Sequence, residues 1–545
     1  MNAPRSSWLM RAIVVAAVAT SALIGPWPVR PATAFPPSTP PAVPESSALR
    51  LRLDGEPGTL DPALAGYAPE VAVAAQIFEG LTRLDEALIP QPGLANGWSY
   101  SSDASVYTFT LRDAFFANGR RIVASDVVSS LTRALSPALA APYAPALYDI
   151  QGAESYNSGD TGAALGLAAP ATRTVRISLT GTVPPYLFLK KLSMLIASVI
   201  PLEEVAAGGD LWWADPNHLI GAGPYRMTER ASGDHITLAA NPQFHGNAPA
   251  IGALIYKVIT DSEAALAAYQ SNQFDIIQPA ATQMVTLTAS PILASQLITG
   301  ASPCTAYATL DNQRAPFSGT AGMALRQAFN YAIDRTLIVL ATPGGAATPA
   351  KGLQPPSSYG YDPSLRGLDF NVVSATQKLA ASGYAGAPPI LFYSTASNTV
   401  IDSIRAQVLS HLGISVNVTT TASAAQMRIR GWCADYPDPD GWLPPVLRSA
   451  ASYNYTHYSN PTFDTLVDQA GHTLSETARL GLYRQAEQLA VSDGAMLPLY
   501  HYPFLALSKP WVSGPVGSDL LWSRALNNLS YAPGGNRAFL PSVWR

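Results

Sequence analysis

Apolar and polar residues alternate over Ala48–Leu53, Tyr107–Leu111, Thr174–Ile177, Ile236–Ala239 and Ile414–Val418. A period of two predicts strands at each place. Apolar residues recur at helical spacing elsewhere, as in Met323–Leu340 with Leu325, Ala328, Phe329, Ala332 and Ile333 on one face. Further helices are predicted over Pro69–Phe78, Ser125–Leu135 with Ser125 as cap, Ser262–Gln270 with Ser262 as cap, Val400–Leu412 stopped by Gly413, and Glu476–Val491 after Ser475. Residues 184–200 read as mixed or helical. Strands and helices interleave throughout without an internal repeat, which predicts an α/β or α+β protein of several lobes.

One stretch of this pattern carries candidate chemistry. Met427–Arg430 alternates and runs into Gly431-Trp432-Cys433-Ala434-Asp435, and then Pro437 and Pro439 forbid a continued ladder. The strand is expected to end near Asp435. A carboxylate held there beside Trp432 would receive a cation in a partly dry cleft, where unpaired charge is costly. A structural turn with a satisfied Asp is the other reading of the same residues.

Composition narrows the classes. The 545 residues are 48% hydrophobic and only 13% charged, enough for two or three globular domains. A net charge of −4 and a pI of about 6.0 argue against a nucleic-acid binder. Arg5 and Arg11 precede the apolar run Ala12–Ile24, and Ala32-Thr33-Ala34 offers a cleavage site, so residues 1–34 read as a signal peptide. An uncleaved anchor is the alternative. No cysteine lies there to carry a lipid, and residues 35–47 form a Pro-rich leader. Export places Cys304 and Cys433, the only two cysteines, in an oxidising compartment, where one disulfide is the simplest outcome.

Tests for enzyme motifs are negative: no G-x-S-x-G, S-x-x-K or H-E-x-x-H occurs. The seven histidines are scattered singly and neither cysteine has zinc-ligand spacing, so no metal is expected. Asp438-Pro439-Asp440-Gly441 fails the calcium-loop pattern, and Gly221-Ala222-Gly223-Pro224-Tyr225 lacks the third glycine of a dinucleotide fingerprint. The latter reads as a tight loop entering a strand.

A series of short motifs, each weak alone, occurs in a consistent order. They include Gly58-Thr59-Leu60-Asp61-Pro62, Phe78-Glu79-Gly80-Leu81, Tyr107–Arg112, Ala117-Asn118-Gly119, Gly221–Tyr225, Asp311–Phe317, Ala332-Ile333-Asp334-Arg335 and Trp432–Tyr436. By them the chain resembles the peptide/nickel class of ABC-transporter solute-binding proteins (family 5), and most of all the periplasmic oligopeptide binders. The resemblance implies a periplasmic-binding-protein-like fold of two α/β lobes with an extra inserted domain, closing on ligand by a hinge. It places lobe I in residues 48–82, 196–303 and 503–545, the inserted domain in 83–195, and lobe II in 304–502. It also pairs Cys304 with Cys433.

The same resemblance implies function and site. The expected ligand is a short peptide, held extended by main-chain bonds from Gly431, Trp432 and Cys433 and from Glu70, Val71 and Ala72. Asp435 takes the α-ammonium, Trp432 walls a side-chain pocket, and Tyr143 and Tyr502 line the cleft. Where oligopeptide binders can use His and Arg for the ligand carboxylate, this chain has Thr399 and Ile429, the latter flanked by Arg428 and Arg430. The expectation is an exported, non-enzymatic, cofactor-free monomer of the periplasm or cell envelope, partnered by a membrane ABC permease. A receptor on this fold for a nickel complex, haem or sugar, or a cell-envelope scaffold, is the alternative.

Overall fold

Two long antiparallel strands, Leu297–Leu310 and Met496–Ser508, run through the middle of an eleven-stranded sheet. The structure, a computed structural model, describes residues 48–514, 516 and 526–531. The expected signal peptide and leader lie outside the described residues. On one side of the long pair the sheet continues through Ile276–Ile277, Ala48–Leu53, Ala253–Val258, His235–Ala240 and Tyr225–Ala231. On the other side come Met427–Cys433, Ile390–Tyr393 and Val416–Thr419, and the short Thr348–Pro349, off this order, pairs with Met496–Ser508 as the eleventh strand. Ala48–Leu53 pairs in parallel with Ala253–Val258, as Ile390–Tyr393 does with Val416–Thr419. Helices pack against the sheet, as the interleaved pattern requires.

The ladder between the two long strands slips between Ala301 and Thr305, and each strand serves a different core on either side of the slip. Phe504 and Ala506 are buried with Leu49, Leu51, Tyr225 and Leu254. Ala306, Ala308, Leu497 and Leu499 are buried with Phe329, Ile404 and Val416. Each large aliphatic or aromatic side chain so buried contributes about 1.5–3 kcal/mol. A third core lies on a separate antiparallel sheet of Ala95–Tyr100, Val106–Leu111, Thr174–Ser178 and Leu167–Ala171. Tyr107, Phe109, Val127, Leu131, Ile177 and Phe188 fill it.

Several helix boundaries differ from the sequence reading for local reasons. The helix Ala124–Ala134 starts after Val123, whose N–H is capped by the Asp126 carboxylate at 2.9 Å, so Ser125 is inside it. Asp261, not Ser262, caps Ser262–Gln270 by accepting from the Ala264 N–H at 2.7 Å. The predicted Met323–Leu340 helix is two helices, Gly319–Ala332 and Arg335–Leu340, because Asp334 is extended and caps the second. The Gly221 loop has a packing cause: a Cβ on Gly221 would lie 2.0 Å from the Ile77 carbonyl oxygen.

Candidate ligand-binding site

The Met427–Cys433 strand has a full protein neighbour along only one edge. It pairs with the Leu297–Leu310 strand from Cys433 opposite Cys304 to Met427 opposite Leu310. On its other side a single bridge joins Met427 to Phe392. Among the described residues, the outer edge from Arg428 to Cys433 has no strand partner. Cys304 and Cys433 form a disulfide, and their Cα atoms lie 4.1 Å apart. That spacing marks the narrow kind of antiparallel pair, whose residues do not bond one another. The N–H and C=O groups of Cys433, Gly431 and Ile429 therefore aim at the open edge. Ala434, of the opposite parity, donates to the Pro303 carbonyl on the paired side at 3.4 Å.

Asp435 follows two residues after this edge ends. No hydrogen bond or ion pair engages its side chain among the described residues. Asp435 is exposed, and the surrounding protein displaces part of the water around its carboxylate. This desolvation, with no cation to offset it, pushes its pKa up to about 6. The cavity encloses about 770 Å³ between residues 433–437 and a wall that includes Gly66, Val71, Phe78, Tyr143 and Lys190. Burial raises the Tyr143 pKa, and the negative charges of Asp435 and Glu70 raise it further. Gly66 lets Tyr143 in: a Cβ there would lie 3.1 Å from the ring.

Aromatic rings lie along the Met427–Cys433 strand. Trp432 is half-buried, donates its indole N–H to the Gly441 carbonyl at 2.8 Å, and has its ring 5.0 Å from that of Tyr453. The Arg430 guanidinium lies 4.2 Å from the Tyr455 ring centre. Tyr502 is partly exposed, and its hydroxyl is 3.4 Å from where a Cβ on Gly431 would be. Glycine at 431 thus leaves room between the strand and this tyrosine.

The structure brings Asp435, Cys433, Gly431, Trp432, Arg430 and Tyr502 onto or beside one strand, with Tyr143 on the opposite wall. It corrects the second expected main-chain segment. Glu70, Val71 and Ala72 lie in the first turns of the helix Ala68–Ile77 and so present no strand edge, and Val71 N–H donates to the Tyr67 carbonyl at 3.0 Å. The Glu70 carboxylate accepts from the Gly66 and Tyr67 N–H groups at 2.8 and 3.0 Å, and Ala72 accepts the Tyr256 hydroxyl at 3.0 Å. Only the Val71 side lines the cavity. Thr399 lies at the start of the helix Thr399–Leu412 and donates to the Ala341 carbonyl at 2.6 Å, while Ile429 packs on the core that holds Phe329, Ile404 and Val416. Sequence reasoning missed Lys190, Tyr453 and Tyr455. The x-Tyr-x-Tyr spacing in a polar loop was the available signal for the tyrosines.

The sequence profile of the bacterial extracellular solute-binding proteins, family 5 (Middle), matches residues 90–454. The chain belongs to this family. Family 5 members bind solutes, and this chain is a solute-binding protein rather than an enzyme. It is 30% identical over 505 residues to the periplasmic oligopeptide-binding protein OppA of Salmonella typhimurium, covering 86% of this chain and 90% of that one. It is 28% identical to the periplasmic murein peptide-binding protein MppA of Escherichia coli, covering 88% and 93%. Among solved structures, the unliganded open form of MppA superimposes with a TM-score of 0.79 at 26% identity, covering 90% of this chain and 98% of that one. The Haemophilus influenzae OppA complex with RPPGFSPFR gives 0.70 at 25% identity, covering 90% and 100%. The family 5 chain therefore has the family's two-lobe α/β fold. No described helix is long and apolar enough to cross a membrane.

Proposed function

We propose that this chain is the exported receptor of an ABC peptide importer, a monomer that captures short peptides and hands them to a membrane permease. The open edge of Met427–Cys433, ending at an unpaired Asp435, is the observation that carries this reading. An extended peptide adds to that edge as a strand, bonding the outward N–H and C=O groups of Gly431 and Cys433 irrespective of side chains. Its α-ammonium meets Asp435, whose desolvated carboxylate lacks a cation. Trp432, Tyr143 and Tyr502 surround the first residues of the ligand. The periplasmic relatives support a periplasmic location. The slip between Ala301 and Thr305 supports a hinge there, with lobe boundaries at residues 303/304 and 502/503 and an inserted domain at 83–195.

Calorimetry with tetra-alanine tests both contacts. N-acetylation is expected to weaken binding about tenfold or more, the low end for losing a buried charge partner. Single N-methylation is expected to abolish binding at alternate residues only, because every second ligand residue exchanges bonds with the strand. Equal affinity for free and acetylated peptide would sink the ammonium contact, and an N-methyl scan without alternation would sink the strand pairing.

A further inference from the structure

The cavity beside Asp435 lies off the open strand edge. Residues 433–437 line it, but none of Met427–Trp432 does. A peptide laddered on that edge would reach it with its amino end alone. The other walls come from the helix Ala68–Ile77, from residues 82–88 of the hairpin that joins Thr82–Leu84 to Pro90–Pro92, and from residues between 193 and 198. Much of this surface is apolar, with Val71, Phe78, Leu88, Met194, Ile196 and Phe244 on it. Several of its polar side chains are already engaged. The Thr82 and Ser193 hydroxyls donate to the Leu189 and Lys190 carbonyls at 2.8 and 2.7 Å. Lys190 pairs with Asp438 at 3.1 Å, and Glu79 lies 2.5 Å from His245 Nε2. The Asp85 carboxylate accepts from the Ala87 and Ile89 N–H groups, each at 2.9 Å. Arg83 and Glu86, of opposite sign, are exposed on the hairpin. Asp435 differs from the engaged groups: its carboxylate has no partner among the described residues, and the protein around it displaces part of its water.

Apolar walls around an unpartnered carboxylate suit a ligand with a cationic head and an apolar body. We propose that this cavity binds amphiphilic primary amines, alkylamines or arylalkylamines, with the ammonium on Asp435 and the body among Val71, Phe78, Met194 and Phe244. Such a ligand has no peptide main chain, so it uses none of the outward groups of Ile429 and Gly431. The inference rests on the cation-receiving role read for Asp435 above and is independent of the strand pairing. The volume of about 770 Å³ falls within the range of about 300–1,000 Å³ typical of small-molecule pockets, far more than an ammonium group alone would fill. The head fixes position, and the body supplies affinity in proportion to the apolar area it removes from water.

Calorimetry at neutral pH with n-propylamine, n-butylamine, n-hexylamine and phenethylamine, and with n-hexanol and hexanoate as controls, tests the assignment. In the wild type, affinity is expected to rise about two- to fourfold with each methylene added to the amine. Hexanol and hexanoate should bind at least about tenfold more weakly than hexylamine, because neither offers Asp435 a cation. Asp435→Asn should weaken hexylamine by about tenfold or more while keeping the gain per methylene. Met194→Gln, of similar shape but polar, should lower that gain. Hexylamine should also displace tetra-alanine, since both require the same carboxylate. A flat chain-length series, hexanol binding as well as hexylamine, or simultaneous binding of hexylamine and tetra-alanine overturns the amine site. If tetra-alanine still binds in that case, the peptide reading stands. A rising amine series in a protein that binds no tetra-alanine overturns the peptide reading and leaves the amine site in place. The wild-type comparison of hexylamine with propylamine and hexanol decides the matter even where a variant does not fold.

Discussion

Asp435 holds a charge in a place that disfavours it. Without ligand its proton leaves near pH 6 rather than near pH 4, so the folded protein binds that proton more tightly than the unfolded chain does. The sign follows: ionised Asp435 destabilises the empty receptor above about pH 6, and lowering the pH through that value relieves it. A bound ammonium reverses the preference. Affinity for peptides with a free amino group should therefore fall as pH drops below about 6, and fall again above about 8 as the ligand amine loses its proton. Acetylated peptides should show neither limb in calorimetry. Asp435→Asn should flatten the acid limb, weaken binding about tenfold or more, and raise the melting temperature of the unliganded protein at neutral pH. At this scale the sequence was informative where chain-local rules apply. Two prolines and an alternating run located Asp435 and Cys433. Tyr453 and Tyr455 were not legible, because their meaning comes from Trp432 and Arg430, some twenty residues away and brought beside them only by the fold.

The open-edged strand depends on the covalent tie at its end. Cys304–Cys433 closes a segment with a separation of 129 residues. In the chain-entropy model such a loop contributes about 5 kcal/mol, with measured losses for native disulfides of about 2–5 kcal/mol. The double substitution of both cysteines by serine should lower stability within that range in urea denaturation. It should also weaken peptide binding, since the disulfide holds the register that aims Gly431 and Cys433 outward. Unchanged affinity in a stable double variant would separate the tie from the site. Strands and helices were legible here by period, whereas helix starts were not always so. Asp126 and Asp261 outcompete neighbouring serines as caps because their carboxylates reach the first free N–H groups. Residues 70–72 show the larger limit. Family likeness brought them near the cleft, but helical backbone presents no strand edge to an extended ligand.

Across the molecule, a buried charge cluster joins the helix Pro185–Lys191 to Asp438 and the helix Glu476–Ser492 beside the cavity. Lys190 pairs with Asp438 at 3.1 Å, and Arg479 donates to both oxygens of Asp438 at 2.8 and 2.7 Å. All three side chains are fully buried. Burial opposes ionisation of Asp438, yet the two cations hold its pKa down at about 2. Glu476 gives Arg479 a second carboxylate at 2.8 Å, whereas Lys190 pairs with Asp438, and burial pushes Lys190 down to about 8. Asp438→Asn would leave the buried Lys190 without its carboxylate and should cost about 3–5 kcal/mol in chemical denaturation. A loss under about 1 kcal/mol, typical of exposed pairs, would show that water reaches the cluster. The long strands have a different consequence. Thr305 faces His501 across their ladder, so residues 305–501 leave the rest of the molecule and return to it side by side. That stretch is topologically a cassette, and its two ends are already neighbours, as tolerated insertions require. It carries the cleft strand, Asp435, Arg430 and both tyrosines. Recombination between relatives at this single doorway would exchange what is recognised while leaving in place the half from which the chain enters and leaves.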